Sequence, residues 1–160
     1  MRLYRFCRKR RANDLSGTGA KLVGGRWNSP GVAMLYMSEN RALALAEYWV
    51  HVHPSNLPTD VCVVEIEVPD TARIISIPLS SLPENWRAGP PLKSLRQTGD
   101  QWVLNEQSLI LKAPSTVMTL ESNYILNPAH QDMTAVSVIS ITDYAWNWRL
   151  KRQAETLKTA

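Results

Sequence analysis

The chain has 160 residues, a formal net charge of +4 at pH 7, 44% hydrophobic residues and six tryptophans. This length suits one domain with its own core, and this composition indicates a globular rather than a disordered protein. The two cysteines, Cys7 and Cys62, are too few for a disulfide framework or a zinc site, so we expect reduced thiols.

The N-terminal segment is basic, and much of the net charge lies in Arg8, Lys9, Arg10 and Arg11. No apolar run follows it, so we expect no secretory signal. Because no stretch approaches about 18 continuous apolar residues, we also expect no membrane span and predict a cytoplasmic protein. A basic run can contact nucleic acid or an acidic partner, but it is more typical of a solvated surface.

Residues 17–31, GTGAKLVGGRWNSPG, are rich in glycine and end in a turn signal. Their spacing matches neither a Walker phosphate loop nor a dinucleotide-binding fingerprint. Gly24 and Gly25 allow a ligand or another strand to approach closely, and Arg26 then presents a planar cation suited to phosphate or carboxylate. A structural arginine, paired with an acidic residue beside a hairpin, is the alternative.

The next segments predict a short strand over residues 34–38 and a helix over residues 38–54, with Ser38 as its N-cap and Pro54 at its end. The helix has one broad apolar face, and Glu47 lies at the edge of that face; its members are Ala42, Leu45, Ala46, Trp49, Val50 and His53. Glu47 is therefore either a half-desolvated functional carboxylate or an ordinary flanking residue. Tyr36, in the strand, is either a ligand-stacking ring or a core aromatic.

The second half of the chain predicts mostly strands. The first covers residues 61–69, where Val64, Ile66 and Val68 face one way and Glu65 and Glu67 the other. Others are expected over residues 72–77, over 123–128, over 135–142, and as two short strands within 107–120 broken near Pro114.

Residues 78–105 are punctuated by proline and tryptophan and are expected to form turns and short helical pieces. Thr142 or Asp143 is expected to cap a closing helix that runs through Trp146 and Trp148 into a basic tail. An early helix followed mainly by strands predicts an α+β single domain, built mainly on antiparallel sheets with flanking helices.

Three groups of polar side chains are considered for a chemical role. Ser115 lacks a G-x-S-x-G context and a triad-like histidine, so it fits a ligand-binding hydroxyl better than a nucleophile. Asn123 and Asn127 bracket a predicted strand, and turn capping is their simplest role. His51 and His53 are two positions apart, face different directions on a helix and do not predict a metal pair.

These segments, taken in order, resemble the RES domain family, which is named for an arginine, a glutamate and a serine. The matching residues are Arg26 in GGRWNSPG, Glu47 in ENRALALAE and Ser115 in APSTV, with Tyr36 in MLYMS between the first two. PLSSLPENW, GDQW and ESNYILNPAH are similar to its later segments. The resemblance covers residues 4–142, so we expect a single RES domain over 1–160, with 143–160 as a C-terminal helix and basic tail.

The resemblance implies a fold similar to that of ADP-ribosyltransferases and the role of toxin in a bacterial toxin–antitoxin pair. Such a toxin depletes NAD by cleaving its nicotinamide–ribose bond, with water or phosphate as acceptor and without a metal. One branch modifies a protein instead, so a mono-ADP-ribosyltransferase is the alternative with the same fold. A basic nucleic-acid-binding module is the alternative of another class.

The implied partner is an Xre-type helix-turn-helix antitoxin that occludes the active site. A homodimer within the toxin–antitoxin complex is compatible with the resemblance. Neither membrane binding nor direct nucleic-acid binding is expected.

The resemblance also implies a role for each matched residue. Glu47 is expected to stabilise the oxocarbenium-like charge that forms on the ribose when nicotinamide leaves. Arg26 is expected to bind the pyrophosphate or the adjacent ribose, and Tyr36 to stack on the nicotinamide. Ser115 is expected to hydrogen-bond the ribose or a phosphate, and Asn127 to lie at the pocket rim. Arg26 and Glu47 should therefore face one cleft of dinucleotide size.

Overall fold

The structure, a computed structural model, describes residues 1–53, 56–147 and 149–150. The strands in this part are β1 (Arg2–Arg8), β2 (Leu35–Ser38), β3 (Val61–Glu67), β4 (Ile74–Ser76), β5 (Ile110–Pro114), β6 (Ser122–Leu126) and β7 (Ser137–Asp143). The α-helices are α1 (Thr18–Val23), α2 (Arg41–Trp49) and α3 (Lys93–Asn105). Short 3-10 helices lie at Lys9–Arg11, Leu79–Ser81 and Gln131–Ala135. No helix in these ranges is long and apolar enough to cross a membrane.

The strands form one sheet in the order β4-β5-β6-β2-β1-β3-β7. β4 and β5 are parallel, and every other neighbouring pair is antiparallel, which confirms the predicted α+β fold. β1 pairs with β3 along its whole length, but it meets β2 only where Tyr4 lies opposite Ser38. Beyond that position β1 and β2 separate, and the sheet opens beside the candidate site.

Both faces of the sheet are covered by apolar side chains, because the alternating residues of the central strands are buried on either side. On β5 and β6, Ile110 and Leu126 belong to one cluster, whereas Leu111 and Ile125 belong to the other. The first cluster also contains Val64 and Ile66 of β3 and Val68, which follows the strand, so the predicted alternation is confirmed.

The second cluster packs the sheet against α3, which the sequence analysis missed. Leu95 and Trp102 of α3 are buried there with Trp27. Gly99 permits this contact, since a Cβ atom at that position would lie 1.8 Å from the carbonyl oxygen of Trp27. The prediction of turns and short pieces over residues 78–105 was therefore wrong for its second half.

Helix α2 is shorter than predicted, and its N-cap differs. Asn40 caps it by accepting a hydrogen bond from the backbone N–H of Leu43 at 2.8 Å. Ser38 instead lies in β2, where its hydroxyl donates to Asn123. The helix ends at Trp49, and Pro54 lies outside the described residues.

The buried face of α2 was also predicted wrongly. Leu43 and Ala44 are the buried residues of the helix, whereas Ala42 and Val50, predicted for the apolar face, are exposed. Glu47 follows Leu43 by four positions and Ala44 by three, so it lies on the inward face. The helix therefore directs its carboxylate toward the sheet.

Three further differences concern strand and helix boundaries. β1 and α1 were not predicted. Residues 115–120 form a turn rather than a second strand, because Ser115 Oγ accepts hydrogen bonds from the backbone N–H groups of Val117 and Met118. Thr142 and Asp143 belong to β7 and cap no helix. Trp148 and residues 151–160 of the expected tail lie outside the described residues.

Candidate active site

A cavity of about 800 Å³ lies between α1 with its following loop, the C-terminal end of α2, the first turn of α3 and the strands β5 and β6. Its volume is within the usual range of ligand-binding pockets, roughly 300–1,000 Å³. Arg26, Tyr36 and Glu47 line it together, as expected. A smaller cavity of about 200 Å³ adjoins it where β1 and β2 separate, and the two share Tyr36, Glu47, His51 and Asn123.

The Glu47 carboxylate is held in place by two side chains from the neighbouring strands. Its Oε1 atom accepts a hydrogen bond of 2.7 Å from Ser115 Oγ and one of 2.5 Å from Asn123 Nδ2. Both of these donors are neutral groups, so they orient the carboxylate without forming an ion pair with it.

Ser115 lies behind Glu47 rather than on the cavity wall. Its side chain is buried, with 2% exposure. The hydroxyl donates to Glu47 and accepts from Val117 N–H and Met118 N–H, so its hydrogen-bonding capacity is used within the protein. The predicted contact of Ser115 with ribose or phosphate is therefore not supported, and the geometry assigns Ser115 a positioning role.

Asn123 is a site residue that the sequence analysis read only as a turn cap. It lies within β6, lines the cavity and bridges two elements, donating to Glu47 and accepting from Ser38 Oγ at 3.0 Å. Asn123 and the buried Ile125 lie two positions apart, so they share a face of β6. A polar side chain on the buried face of a strand was the signal that could have identified it.

Arg26 reaches the cavity from the loop after α1. Its Nη1 atom donates to the backbone carbonyls of Trp86 and Ala88, which orient one edge of the guanidinium. Burial lowers the pKa of Arg26, and the negative charge of Glu47 opposes that shift. The charges of Arg26 and Glu47 therefore interact across the cavity. The Arg26 guanidinium remains a cation because its ordinary pKa is so high.

Tyr36 connects this loop to the sheet. Its hydroxyl donates to Asn28 Oδ1 at 2.8 Å and accepts from the Trp27 N–H at 3.2 Å. A Cβ atom at Gly25 would lie 2.6 Å from that hydroxyl, so the glycine makes room for the tyrosine as well as bordering the cavity. Burial raises the pKa of Tyr36, which therefore stays a neutral phenol.

Two further residues of the wall were missed in the sequence. Arg96 comes from the first turn of α3, and His51 from the turn after α2. Arg96 was overlooked because α3 itself was not predicted. Apolar residues at Leu92, Leu95, Gly99 and Trp102 do recur at helical spacing and could have shown it.

Asn127 does not lie at the pocket rim, so that prediction was wrong. It is fully buried at the end of β6, where Nδ2 donates to the Val103 carbonyl at 3.1 Å and Oδ1 accepts from Ala129 N–H at 3.0 Å. Its hydrogen bonds connect α3 to the turn after β6, which is a structural role.

Three of the four residues of the basic run, which begins at the last residue of β1, form ion pairs. Arg8 pairs with Asp60, Lys9 with Asp143 and Arg11 with Asp14. Charges engaged in this way form a poor phosphate-binding surface, which speaks against the nucleic-acid-binding alternative. Across the described ranges, no group of three or more His, Cys, Asp or Glu side chains is arranged to hold a metal ion.

The arrangement has opposite charges on different walls of one cavity. Glu47 can stabilise a cation that develops in the cavity, because the carboxylate is already held in position and need not reorganise during a reaction. Arg26 can bind an anionic group of the same ligand. A ligand that carries phosphate and develops positive charge at another atom fits this distribution.

Comparison with known proteins shows a family match over almost the whole chain. The model of the RES domain matches residues 2–148. A Prs ADP-ribosylating toxin from Sphingobium sp. is 38% identical over 146 residues, which are 89% of this chain and 90% of that relative. A Toxin Res from Yersinia enterocolitica is 35% identical over 153 residues, 94% of this chain and 100% of the relative.

A solved structure shares the fold. The M. tuberculosis MbcT–MbcA toxin–antitoxin complex contains a chain that superposes with a TM-score of 0.72. The match covers 99% of this chain and 89% of that chain at 16% sequence identity. The sequence motifs, the family match and the identity to these relatives lead to one conclusion: the chain belongs to the RES domain family.

Proposed function

We propose that this protein is the toxin of a toxin–antitoxin pair and that it consumes NAD by cleaving the nicotinamide–ribose bond. The observation that carries the proposal is that Arg26 and the oriented carboxylate of Glu47 line one cavity of about 800 Å³. The names of the relatives support it, since one is an ADP-ribosylating toxin and another is called Toxin Res.

The proposed reaction breaks the bond between the ribose C1′ atom and the nicotinamide nitrogen. The bonding electron pair leaves with nicotinamide, which departs as a neutral molecule, and the ribose becomes oxocarbenium-like. Glu47 stabilises that positive charge, while Ser115 and Asn123 hold the carboxylate in place. An acceptor then forms the new bond to C1′ and releases its proton, and the smaller cavity beside Glu47 offers it space.

Arg26 binds the pyrophosphate in this proposal, which leaves Tyr36 to contact the nicotinamide end. The Tyr36 ring borders both cavities and is held by its hydroxyl. A ring fixed in this way can stack on a planar ligand without losing further conformational freedom.

Transfer of ADP-ribose to a protein is the second candidate, and the 38% identity to a Prs ADP-ribosylating toxin favours it. The two candidates share the cleavage step and differ only in the acceptor. Label from NAD recovered as free ADP-ribose or its phosphate supports NAD depletion, whereas label retained on a protein supports transfer.

A partner that covers the cavity is part of the proposal. Two exposed apolar side chains, Val23 and Val50, lie on the wall, and the exposed Leu22 precedes Val23 in α1. A group of exposed apolar side chains such as this is typical of a protein interaction site. An antitoxin encoded beside this protein should copurify with it and abolish NAD consumption; a neighbouring product that does neither contradicts this part.

The function is tested with Glu47→Gln, which keeps the shape of the side chain and removes its charge. We expect nicotinamide release to fall at least about 100-fold, the size typical of losing one electrostatic group at a developing charge. Glu67→Gln, an exposed carboxylate on β3, is the matched control and should retain the parental rate. Equal thermal stability of the variants excludes unfolding, and a parental rate for Glu47→Gln refutes the assignment.

A further inference from the structure

Arg96 is a second cation on the cavity wall that the matched family motifs do not include. It extends from the first turn of α3, and its Nε atom donates to the Gly25 carbonyl at 3.1 Å. Over the described ranges this is the one hydrogen bond of its side chain, and no carboxylate there lies within ion-pair distance of it. The two terminal nitrogens of its guanidinium therefore have no protein partner in this part of the chain.

Arg26, by contrast, is already partly occupied. Its Nη1 atom donates to two backbone carbonyls, so only the remaining edge of the guanidinium faces a ligand. A pyrophosphate carries two charged phosphate groups, and one partly occupied guanidinium can fork onto only one of them. A second cation nearby would be needed to bind the other phosphate group.

The two guanidiniums lie at the same edge of the cavity. Arg96 contacts Gly25, which directly precedes Arg26. Burial and the negative charge of Asp100 raise the pKa of Tyr36, whereas the positive charges of Arg96 and Arg26 both lower it, which agrees with this placement. Among the residues that the structure describes, the charged side chains of the wall are then two arginines at the glycine edge and Glu47 on α2.

The start of α3 adds to this positive edge. No side chain caps the helix at Leu92, and its first turn contains no acidic residue. Pro91 and Arg96, on either side of that position, both line the cavity. The uncapped N–H groups of a 13-residue helix carry partial positive charge, which reinforces the two guanidiniums without forming a site alone.

We propose that Arg96 is a second phosphate-binding residue, and that Arg26 and Arg96 together hold the two phosphates of the dinucleotide. This inference rests on the proposed function and extends it by naming a residue for substrate affinity. Through its bond to Gly25, Arg96 also holds the loop that carries Arg26, so binding of one phosphate supports binding of the other.

The first test uses Arg96→Gln, which removes the charge but keeps a donor for the Gly25 carbonyl. We expect the KM for NAD to rise about tenfold or more, the effect of losing a charge-assisted hydrogen bond, with kcat within about twofold. Arg87→Gln is the matched control, because exposed Arg87 donates to the carbonyl of Thr116, a residue of the wall, without lining the cavity itself. It should leave KM unchanged.

Nicotinamide riboside separates phosphate binding from a purely structural role, because it has the scissile bond but no phosphate. Arg96→Gln should leave its kcat/KM unchanged. An equal loss with NAD and with nicotinamide riboside, or a loss confined to kcat, means that Arg96 only braces the loop, and the proposal is wrong. If Arg96→Gln does not fold, Arg96→Lys is used instead; it keeps the charge but loses the planar guanidinium, so its KM should be raised by less. A parental KM for Arg96→Lys means that the terminal nitrogens of the Arg96 guanidinium do not hold a phosphate, which overturns the proposal.

Binding of ADP-ribose, measured by calorimetry, tests the subsite without any turnover. The wild-type protein should bind it at least about tenfold more tightly than Arg96→Gln. If the wild type releases no nicotinamide yet shows this difference, the proposed reaction fails and the phosphate subsite stands. Equal affinities of the two proteins, or no binding by the wild type, overturn the subsite.

Discussion

The Glu47 carboxylate accepts its hydrogen bonds from a hydroxyl and an amide, and it is influenced by the charge of Arg26, which lines another wall of the cavity. A direct ion pair would have neutralised the carboxylate before any substrate entered. Neutral donors restrict its orientation and leave its charge available to a cation in the cavity. The same logic separates the residues that contact a ligand from those, such as Ser115, that hold another residue in place.

Ser115→Ala tests that positioning role. It removes one of the two hydrogen bonds that the Glu47 carboxylate accepts from described residues, so we expect kcat to fall about 10- to 100-fold while the KM for NAD changes little. Ser108→Ala is the matched control, because Ser108 is a fully buried serine that bonds Trp102 instead of Glu47. It should lower stability and leave kcat unchanged. A selective rise of KM in Ser115→Ala would show that the hydroxyl contacts substrate after all.

Asn127→Ala tests the corrected position of that residue. The substitution leaves the Val103 carbonyl and the Ala129 N–H without their partner, so the free energy of unfolding should fall by about 1–3 kcal/mol. Denaturant unfolding measures the loss, and steady-state kinetics should show an unchanged KM for NAD. A raised KM in a variant of parental stability would return Asn127 to the ligand site.

At the scale of elements, the site depends on where two helices meet the sheet. α2 places Glu47 over β6, and α3 supplies Arg96 and a buried face that packs on Trp27. Close contact of α3 with the loop before β2 is possible only because Gly99 has no side chain. Since that loop also carries Arg26, the packing of α3 sets the position of both arginines.

Gly99→Ala tests the close packing of α3. The added Cβ would overlap the Trp27 carbonyl, so the helix must move, and we expect a loss of about 1–3 kcal/mol or more with a raised KM for NAD. Gly19→Ala is the control within α1, where nothing lies within 4 Å of the added atom. It should stabilise the protein by about 0.5–1 kcal/mol through helix propensity. Equal stabilities for the two variants would contradict the close contact.

At the scale of the whole molecule, Glu65 joins elements that are distant in sequence. This buried carboxylate of β3 accepts hydrogen bonds from Arg2 of β1, Arg41 of α2 and Ser140 of β7. Burial raises the pKa of Glu65, but the Ser140 hydroxyl and the charges of Arg41 and Arg2 outweigh it, so its pKa lies below the ordinary 4.5.

The lowered pKa predicts how stability depends on pH. The ionised form is favoured in the folded state, so the contribution of Glu65 is fully present above about pH 4.5 and is lost as the pH falls through the lowered value. Glu65→Gln should therefore be less stable than the parent at pH 7, with a deficit that shrinks in acid. Unfolding at several pH values measures this, with Glu67→Gln as control; a deficit independent of pH would contradict it.

Much of the architecture and three residues of the site could be predicted from the types and spacing of residues along the chain. Period-two alternation identified β3, and apolar runs bounded by turn residues indicated β2, β6 and β7. The order of the motifs selected the RES family, and with it Arg26, Tyr36 and Glu47, which share one cavity in the structure. These features are local because they depend on residue type and spacing along the chain.

The roles that the sequence left undetermined depend on partners far away in the chain. Ser115 and Glu47 are 68 positions apart, and only folding reveals that the serine holds the glutamate. The inward direction of Glu47 follows from how α2 sits on the sheet, and its own apolar pattern indicated another face. Arg96 meets Gly25 across 71 positions. Periodicity and motif order reveal elements and family, whereas contacts between distant residues, which tertiary packing alone decides, determine what each side chain can do.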